Sequence, residues 1–236
     1  MEAGGREPER WHIPKHLLIR RLVPFFVSCA LYFFLCLPSE EPNWTSALAK
    51  CLPVLCLALF VRNSAPAGPY GQFIWLGLLC SILGDIMTTW PKQFFFGLVA
   101  FAFAHLFYLR AMGWFPIRQI YLESVAVIFL LYFGLLHSHL PPCLNLPVIL
   151  YEITLALMLW RALVRGRNAA FGGLLLSISN ALLAWDTFVR PLPSGRLLIR
   201  VTYYAAQVLL ALSALENRAP QADRARRPRL SEAADE

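Results

Sequence analysis

Charge is what this sequence has least of. Only 15% of its 236 residues are Asp, Glu, Lys or Arg and 58% are hydrophobic, whereas a soluble domain carries about a quarter charged residues. That shortage excludes an ordinary soluble enzyme. The six cysteines (29, 36, 51, 56, 80 and 143) form no C-x-x-C pair and lie mostly within apolar runs. They read as small hydrophobes in packed helices, and neither a metal cage nor a disulfide framework is supported. No A-x-A-like site follows the first apolar run, so no cleavable signal peptide is expected. Nothing outside the apolar runs is long enough for a second domain. No repeat relates residues 1–110 to 111–216, which weakens a transporter reading.

What is present is a succession of apolar blocks, each roughly 17 to 22 residues, the length that spans a bilayer as a helix. Eight spans are expected, at about 22–37, 46–62, 72–90, 94–110, 119–137, 144–161, 170–189 and 197–216. Turn-like stretches such as "NSAPAGPYG" and "RPLPSG" separate them. Pro53 and Pro147 fall near the starts of spans two and six, where a membrane helix tolerates them. The expected fold is all-α, a polytopic membrane bundle of eight transmembrane helices. It comprises a cytoplasmic basic segment (1–21), the membrane domain (22–216) and a disordered cytoplasmic tail (217–236).

The net charge of +7 acquires meaning from its distribution. Sixteen of the 21 Lys and Arg residues fall on the side holding both termini. Lys50, Lys92, Arg190, Arg196 and Arg200 fall on the other. The positive-inside rule then puts both termini in the cytoplasm, and the basic excess implies membrane lipids as partners and no nucleic acid. Asn43-Trp44-Thr45 is a glycosylation sequon on the far side, almost against the membrane.

Polar residues inside the spans share one depth. Counting about 1.5 Å per residue, Lys50, Asp85, Tyr151, Glu152, Asp186, Tyr203, Tyr204 and Gln207 lie in the non-cytoplasmic leaflet. Ser179 and Asn180 lie near the midplane, and His105 beyond it. Ser81, Gly84, Asp85 and Thr88 form one stripe at i, i+3, i+4 and i+7, and Arg200, Tyr203, Tyr204 and Gln207 form another. Such a set reads as a polar chamber open toward one face. Plainer readings stand beside it: Asp85 with Lys50 as a structural ion pair, His105 as a packing residue, Asp186 as a solvated end, Glu152 facing headgroups or a neighbouring arginine. His137-Ser138-His139 sits in a loop without clear acidic partners for a metal.

Several segments in order, "ALAKCLPVLCLAL" (47–59), "GLLCSILGD" (77–85), "FFGLVAFAFAHLFYL" (95–109), "GGLLLSISNALLAWDTF" (172–188) and "VTYYAAQVLLALSAL" (201–215), resemble the lysoplasmalogenase family of YhhN-like integral membrane hydrolases, its animal B-type most closely. The resemblance implies cleavage of the vinyl ether of lysoplasmalogens to a fatty aldehyde and glycerophosphocholine or glycerophosphoethanolamine. The implied partner is a lysophospholipid substrate, no cofactor is needed, and the endoplasmic reticulum is the implied membrane. A homo-oligomer is left open.

Vinyl ethers hydrolyse when acid protonates the β-carbon, giving an oxocarbenium ion that water captures. A carboxylic acid desolvated in a membrane helix suits the donor, and a nearby carboxylate suits the cation. Under the resemblance, Asp85 is the acid/base and Lys50 holds the phosphate or tunes Asp85. Tyr203, Tyr204 and Gln207 orient water or headgroup, and Ser81, His105, Tyr151 and Ser179 complete the substrate chamber. One departure stands out: the family usually reads Ser-Asp where this chain has Ser179-Asn180. Asn180 keeps the shape but exchanges no proton. Asp186 lies about 120° around the helix and roughly 9 Å along it, so it is no simple substitute. The alternative functional class is a catalytically impaired paralogue, or a lipid-binding or proton-coupled transport protein, on the same bundle.

Overall fold

A computed structural model describes residues 15–36, 42–65 and 68–215, and every regular element among them is helical. Eight long helices follow in order: α1 (Lys15–Leu31), α2 (Trp44–Ser64), α3 (Pro69–Met87), α4 (Phe94–Met112), α5 (Gln119–His137), α6 (Pro142–Arg165), α7 (Arg167–Phe188) and α8 (Gly195–Ser213). A π-helical turn, Tyr32–Cys36, continues α1, and a 3₁₀ turn, Pro91–Gln93, leads into α4.

Local chemistry sets several helix ends. Asn43 caps α2: its side-chain oxygen accepts the Ser46 N–H at 2.7 Å and the Thr45 hydroxyl at 2.7 Å. The sequon asparagine therefore serves as a helix cap. Pro69 and Pro142 open α3 and α6 in the first turn, where a missing N–H removes no helix bond. Gly113, at φ +76°, ends α4 in a region that only glycine enters freely. Pro53 and Pro147 lie inside α2 and α6, which run through both.

α5 has the bounds expected from the sequence, and α1 begins at Lys15 rather than 22. Hydrophobicity marks only the part of a helix that contacts lipid, whereas Lys and Arg prolong a helix readily. Arg21 in that extension donates to the Ser64 hydroxyl at 2.7 Å and ties the starting end of α1 to the last turn of α2. The remaining N-terminal residues, 1–14, and the proposed tail, 217–236, lie outside the described residues.

Among the described residues, seven helices are long and apolar enough to cross a membrane, and α8 is the exception. Arg196, Arg200, Tyr203, Tyr204 and Gln207 lower its hydropathy, and it packs between α7 and α2. The polar side of α8 is enclosed by its neighbours, and seven membrane-length apolar helices stand against the eight spans expected from the sequence. Contacts run α2–α3–α4–α6–α7–α8 and back to α2, closing a ring of six helices, with α1 against α2 and α5 against α6. On α5, Ile120, Leu130 and Leu131 are 70%, 71% and 68% exposed, an apolar side suited to acyl chains.

Close approach of α3 and α4 requires glycine. Gly77 faces the ring of Tyr108, and a Cβ there would collide with it. The missing side chain lets Tyr108 lie flat on α3 and brings its hydroxyl to Ser81.

Candidate functional site

Asp85 sits in the last turn of α3 and is 1% exposed. Two residues of α8, one helical turn apart, reach it. Arg200 Nη1 donates to Oδ1 at 2.7 Å, and the Tyr203 hydroxyl donates to Oδ2 at 2.7 Å. Charge-assisted bonds on both oxygens fix the carboxyl in one orientation. The Arg200 guanidinium lies 6.0 Å from the Tyr32 ring and 5.8 Å from the Tyr203 ring. Tyr32 begins the π-helical turn and meets Tyr204 edge to face at 5.8 Å. π-helical turns recur at functional sites because they rotate a side chain out of helical register.

Asp85 lies on the wall of a cavity of about 610 Å³, within the size range of small-molecule sites. Lys50, Asp85, Thr88, Ser179, Asn180, Arg200 and Tyr203 supply its polar surface. Phe94, Phe95, Phe101, Leu144, Leu176, Leu183 and Ile199 supply apolar surface. Exposed Lys92 and Arg196, with Asp186 and Thr187, also line it. Four cations, Lys50, Lys92, Arg196 and Arg200, against two carboxylates, Asp85 and Asp186, give its lining a net positive charge, beside apolar surface.

A smaller pocket of about 40 Å³ adjoins it, sharing Thr88, Phe94, Phe101, Asn180 and Leu183. Tyr151 and Glu152 of α6 line this side pocket. The Tyr151 hydroxyl donates to Asn180 Oδ1, and Asn180 Nδ2 donates to the Leu176 carbonyl at 2.9 Å. Asn180 thus presents its oxygen to Tyr151, with its amide nitrogen turned back on its own helix.

Of the ten residues singled out from the sequence, Asp85, Asn180, Lys50, Ser179 and Tyr203 line the main cavity and Tyr151 the side pocket. Ser81, His105, Tyr204 and Gln207 line neither, and they bond to other protein groups inside the bundle. Tyr108 donates to Gln207 Oε1 at 2.8 Å, Gln207 Nε2 donates to the Ser81 hydroxyl at 3.2 Å, and the Ser81 and Tyr108 hydroxyls are 3.3 Å apart. This closed triangle joins α3, α4 and α8. Tyr204 donates to the Lys50 carbonyl at 2.9 Å, and His105 Nδ1 is 3.4 Å from the Thr154 hydroxyl. Ser179 donates to the Ile199 carbonyl at 2.9 Å, joining α7 to α8 from the cavity wall. Asp186 accepts the Leu192 N–H at 2.7 Å and so organises the turn before α8.

The cation at hydrogen-bond distance from Asp85 is Arg200, whereas the sequence pointed to Lys50. Arg200 was visible as part of the α8 stripe, one turn before Tyr203. Tyr32 and Tyr108 gave no sequence signal beyond being aromatic in apolar runs. Among the described residues, no group of three His, Cys, Asp or Glu side chains is placed to hold a metal.

The YhhN family model matches residues 45–214. Lysoplasmalogenase TMEM86B of Rattus norvegicus is 47% identical over 204 residues, covering 86% of this chain and 88% of the relative. Its Homo sapiens counterpart is 45% identical over 204 residues, covering 86% and 90%. Lysoplasmalogenase TMEM86A of Homo sapiens is 37% identical over 221 residues, covering 85% and 90%. No solved structure matches. This integral, multi-pass membrane protein belongs to the YhhN family, beside the B-type lysoplasmalogenases.

Proposed function

We propose that this chain hydrolyses the vinyl ether bond of lysoplasmalogens, releasing a fatty aldehyde and glycerophosphocholine or glycerophosphoethanolamine. The observation that carries the reading is the cavity itself: a buried carboxyl, Asp85, fixed by Arg200 and Tyr203, among cations and beside apolar walls. The relatives that match most of the chain bear the name of that activity.

The cavity divides the substrate naturally. Lys50, Lys92 and Arg196 offer positive charge to the phosphodiester, and the phenylalanine and leucine surfaces take the alkenyl chain. The ether linkage between them lies at Asp85. An Arg-paired carboxylate there stabilises the oxocarbenium ion and accepts a proton from the attacking water. Tyr203 and Arg200 hold it in place for both tasks. Asn180, which also lines the cavity, orients groups by hydrogen bonding and transfers no proton.

The membrane arrangement follows the same reading. α8, about 28 Å long at 1.5 Å per residue, crosses with the other seven, making eight spans in a domain bounded by residues 22–216. Both termini lie in the cytoplasm, as the distribution of Lys and Arg supports, and the cavity faces the lumen of the endoplasmic reticulum.

The test is fatty-aldehyde release from lysoplasmenylcholine and lysoplasmenylethanolamine by purified protein in detergent, beside Asn180→Asp. In deuterium oxide, carbon protonation puts deuterium on the aldehyde α-carbon. Release by both proteins makes Asn180 compatible with turnover. Release by Asn180→Asp alone makes the natural chain a catalytically impaired paralogue. Silence from both transfers the bundle to lipid binding or transport.

A further inference from the structure

The hydrolysis needs a proton donor for carbon, and Asp85 is poorly placed to be one. Arg200 and Tyr203 both donate to it, and a group paired with a guanidinium serves as an anion. A second carboxyl lines the side pocket that adjoins this cavity. Glu152 of α6 is 9% exposed and lines the side pocket. Among the described residues no hydrogen bond or ion pair reaches it. Asn180 shares that pocket, and Phe94, Leu98, Val148 and Leu183 make the rest of its surface largely apolar. An unpaired carboxylate in such surroundings is heavily penalised, and the neutral acid far less so. The two carboxyls therefore occupy opposite environments, one held by a cation and one without any, the pattern that separates a base from an acid.

We propose that Glu152 is the catalytic acid, delivering its proton to the β-carbon of the vinyl ether across the side pocket. This rests on the vinyl-ether hydrolase reading above. The carbon–carbon π electrons form the new C–H bond, leaving Glu152 as carboxylate and the substrate as an oxocarbenium ion. Water adds to the cationic carbon and gives its proton to Asp85, forming a hemiacetal. The hemiacetal hydroxyl proton then passes to Glu152 as the C–O bond to glycerol breaks, and the glycerol oxygen takes the proton held by Asp85. One water is consumed, and both carboxyls return to their starting states.

The experiment measures kcat and KM for aldehyde release from lysoplasmenylcholine, and binding of the uncleavable 1-alkyl ether analogue. It compares the full chain, Glu152→Gln and Glu152→Asp. Glu152→Gln is expected to lower kcat about a hundredfold or more, with KM and analogue binding unchanged. Glu152→Asp is expected to retain part of the turnover. Adding Asn180→Asp to Glu152→Gln returns a carboxyl to the same pocket and restores turnover in part. Wild-type turnover by Glu152→Gln overturns the proposal. So does joint loss of turnover and analogue binding, which marks a structural role, or a double variant that binds the analogue and stays silent. A full chain that releases no aldehyde overturns the hydrolase reading itself, and with it this inference.

Discussion

The cavity has two unlike walls. On the α3–α8 side the polar atoms are paired and charged: Asp85 with Arg200 and Tyr203, backed by the Ser81–Tyr108–Gln207 triangle. On the α6–α7 side, toward the adjoining side pocket, Tyr151 donates to Asn180, and Glu152 lies among phenylalanine and leucine side chains. The contrast sets two carboxyls of one bundle in different surroundings. A charge survives in a membrane protein where a fixed counter-charge meets it, and a carboxyl with no such partner is kept neutral.

Substitutions break or sharpen this contrast, in decreasing order of effect. Asp85→Asn removes the paired anion and lowers aldehyde release about a thousandfold, measured with lysoplasmenylcholine. Wild-type turnover would remove Asp85 from the chemistry. Arg200→Met strands the buried carboxyl and destabilises the protein on the order of 3–5 kcal/mol. Thermal unfolding in detergent measures this, and Asp85→Asn in the same chain should recover much of the loss. Tyr203→Phe removes one hydrogen bond to a charged group, about 1.5–3 kcal/mol. It should depress turnover more than analogue binding if orientation of Asp85 is its task. Tyr151→Phe, the matching deletion on the neutral wall, costs about 1 kcal/mol, and equal losses from the two tyrosines would erase the contrast between the walls. Leu131→Ala on the exposed side of α5 stays within about 0.5 kcal/mol, and a larger loss would place α5 in an interface.

Much of the architecture was legible in the residues. Block lengths gave helix number, and α5 has the bounds its apolar run implied. The α8 polar stripe was legible from the i, i+3, i+4 and i+7 spacing, and it faces the bundle. The partner of Asp85 was not legible, since Lys50 and Arg200 share its depth and only the azimuth of one helix against another selects between them. The closed triangle was hidden for a similar reason. It depends on Gly77 letting Tyr108 approach α3, and nothing in the Gly77 segment names Tyr108 as the residue that fills the space. Glu152 was noticed as a polar residue at the right depth, but its pocket exists only once α6 meets α7.

By itself, the sequence determined an all-helical, multi-pass bundle with polar residues inside its apolar helices. Hydropathy, capping and periodicity act within a single helix, so they can be read along the chain. Tertiary structure alone decided that Arg200 meets Asp85, that Tyr151 meets Asn180, and that Glu152 meets no cation among the described residues. Those outcomes depend on how α8 closes the ring against α2 and how near the helices come, and both are set by packing between residues far apart in sequence.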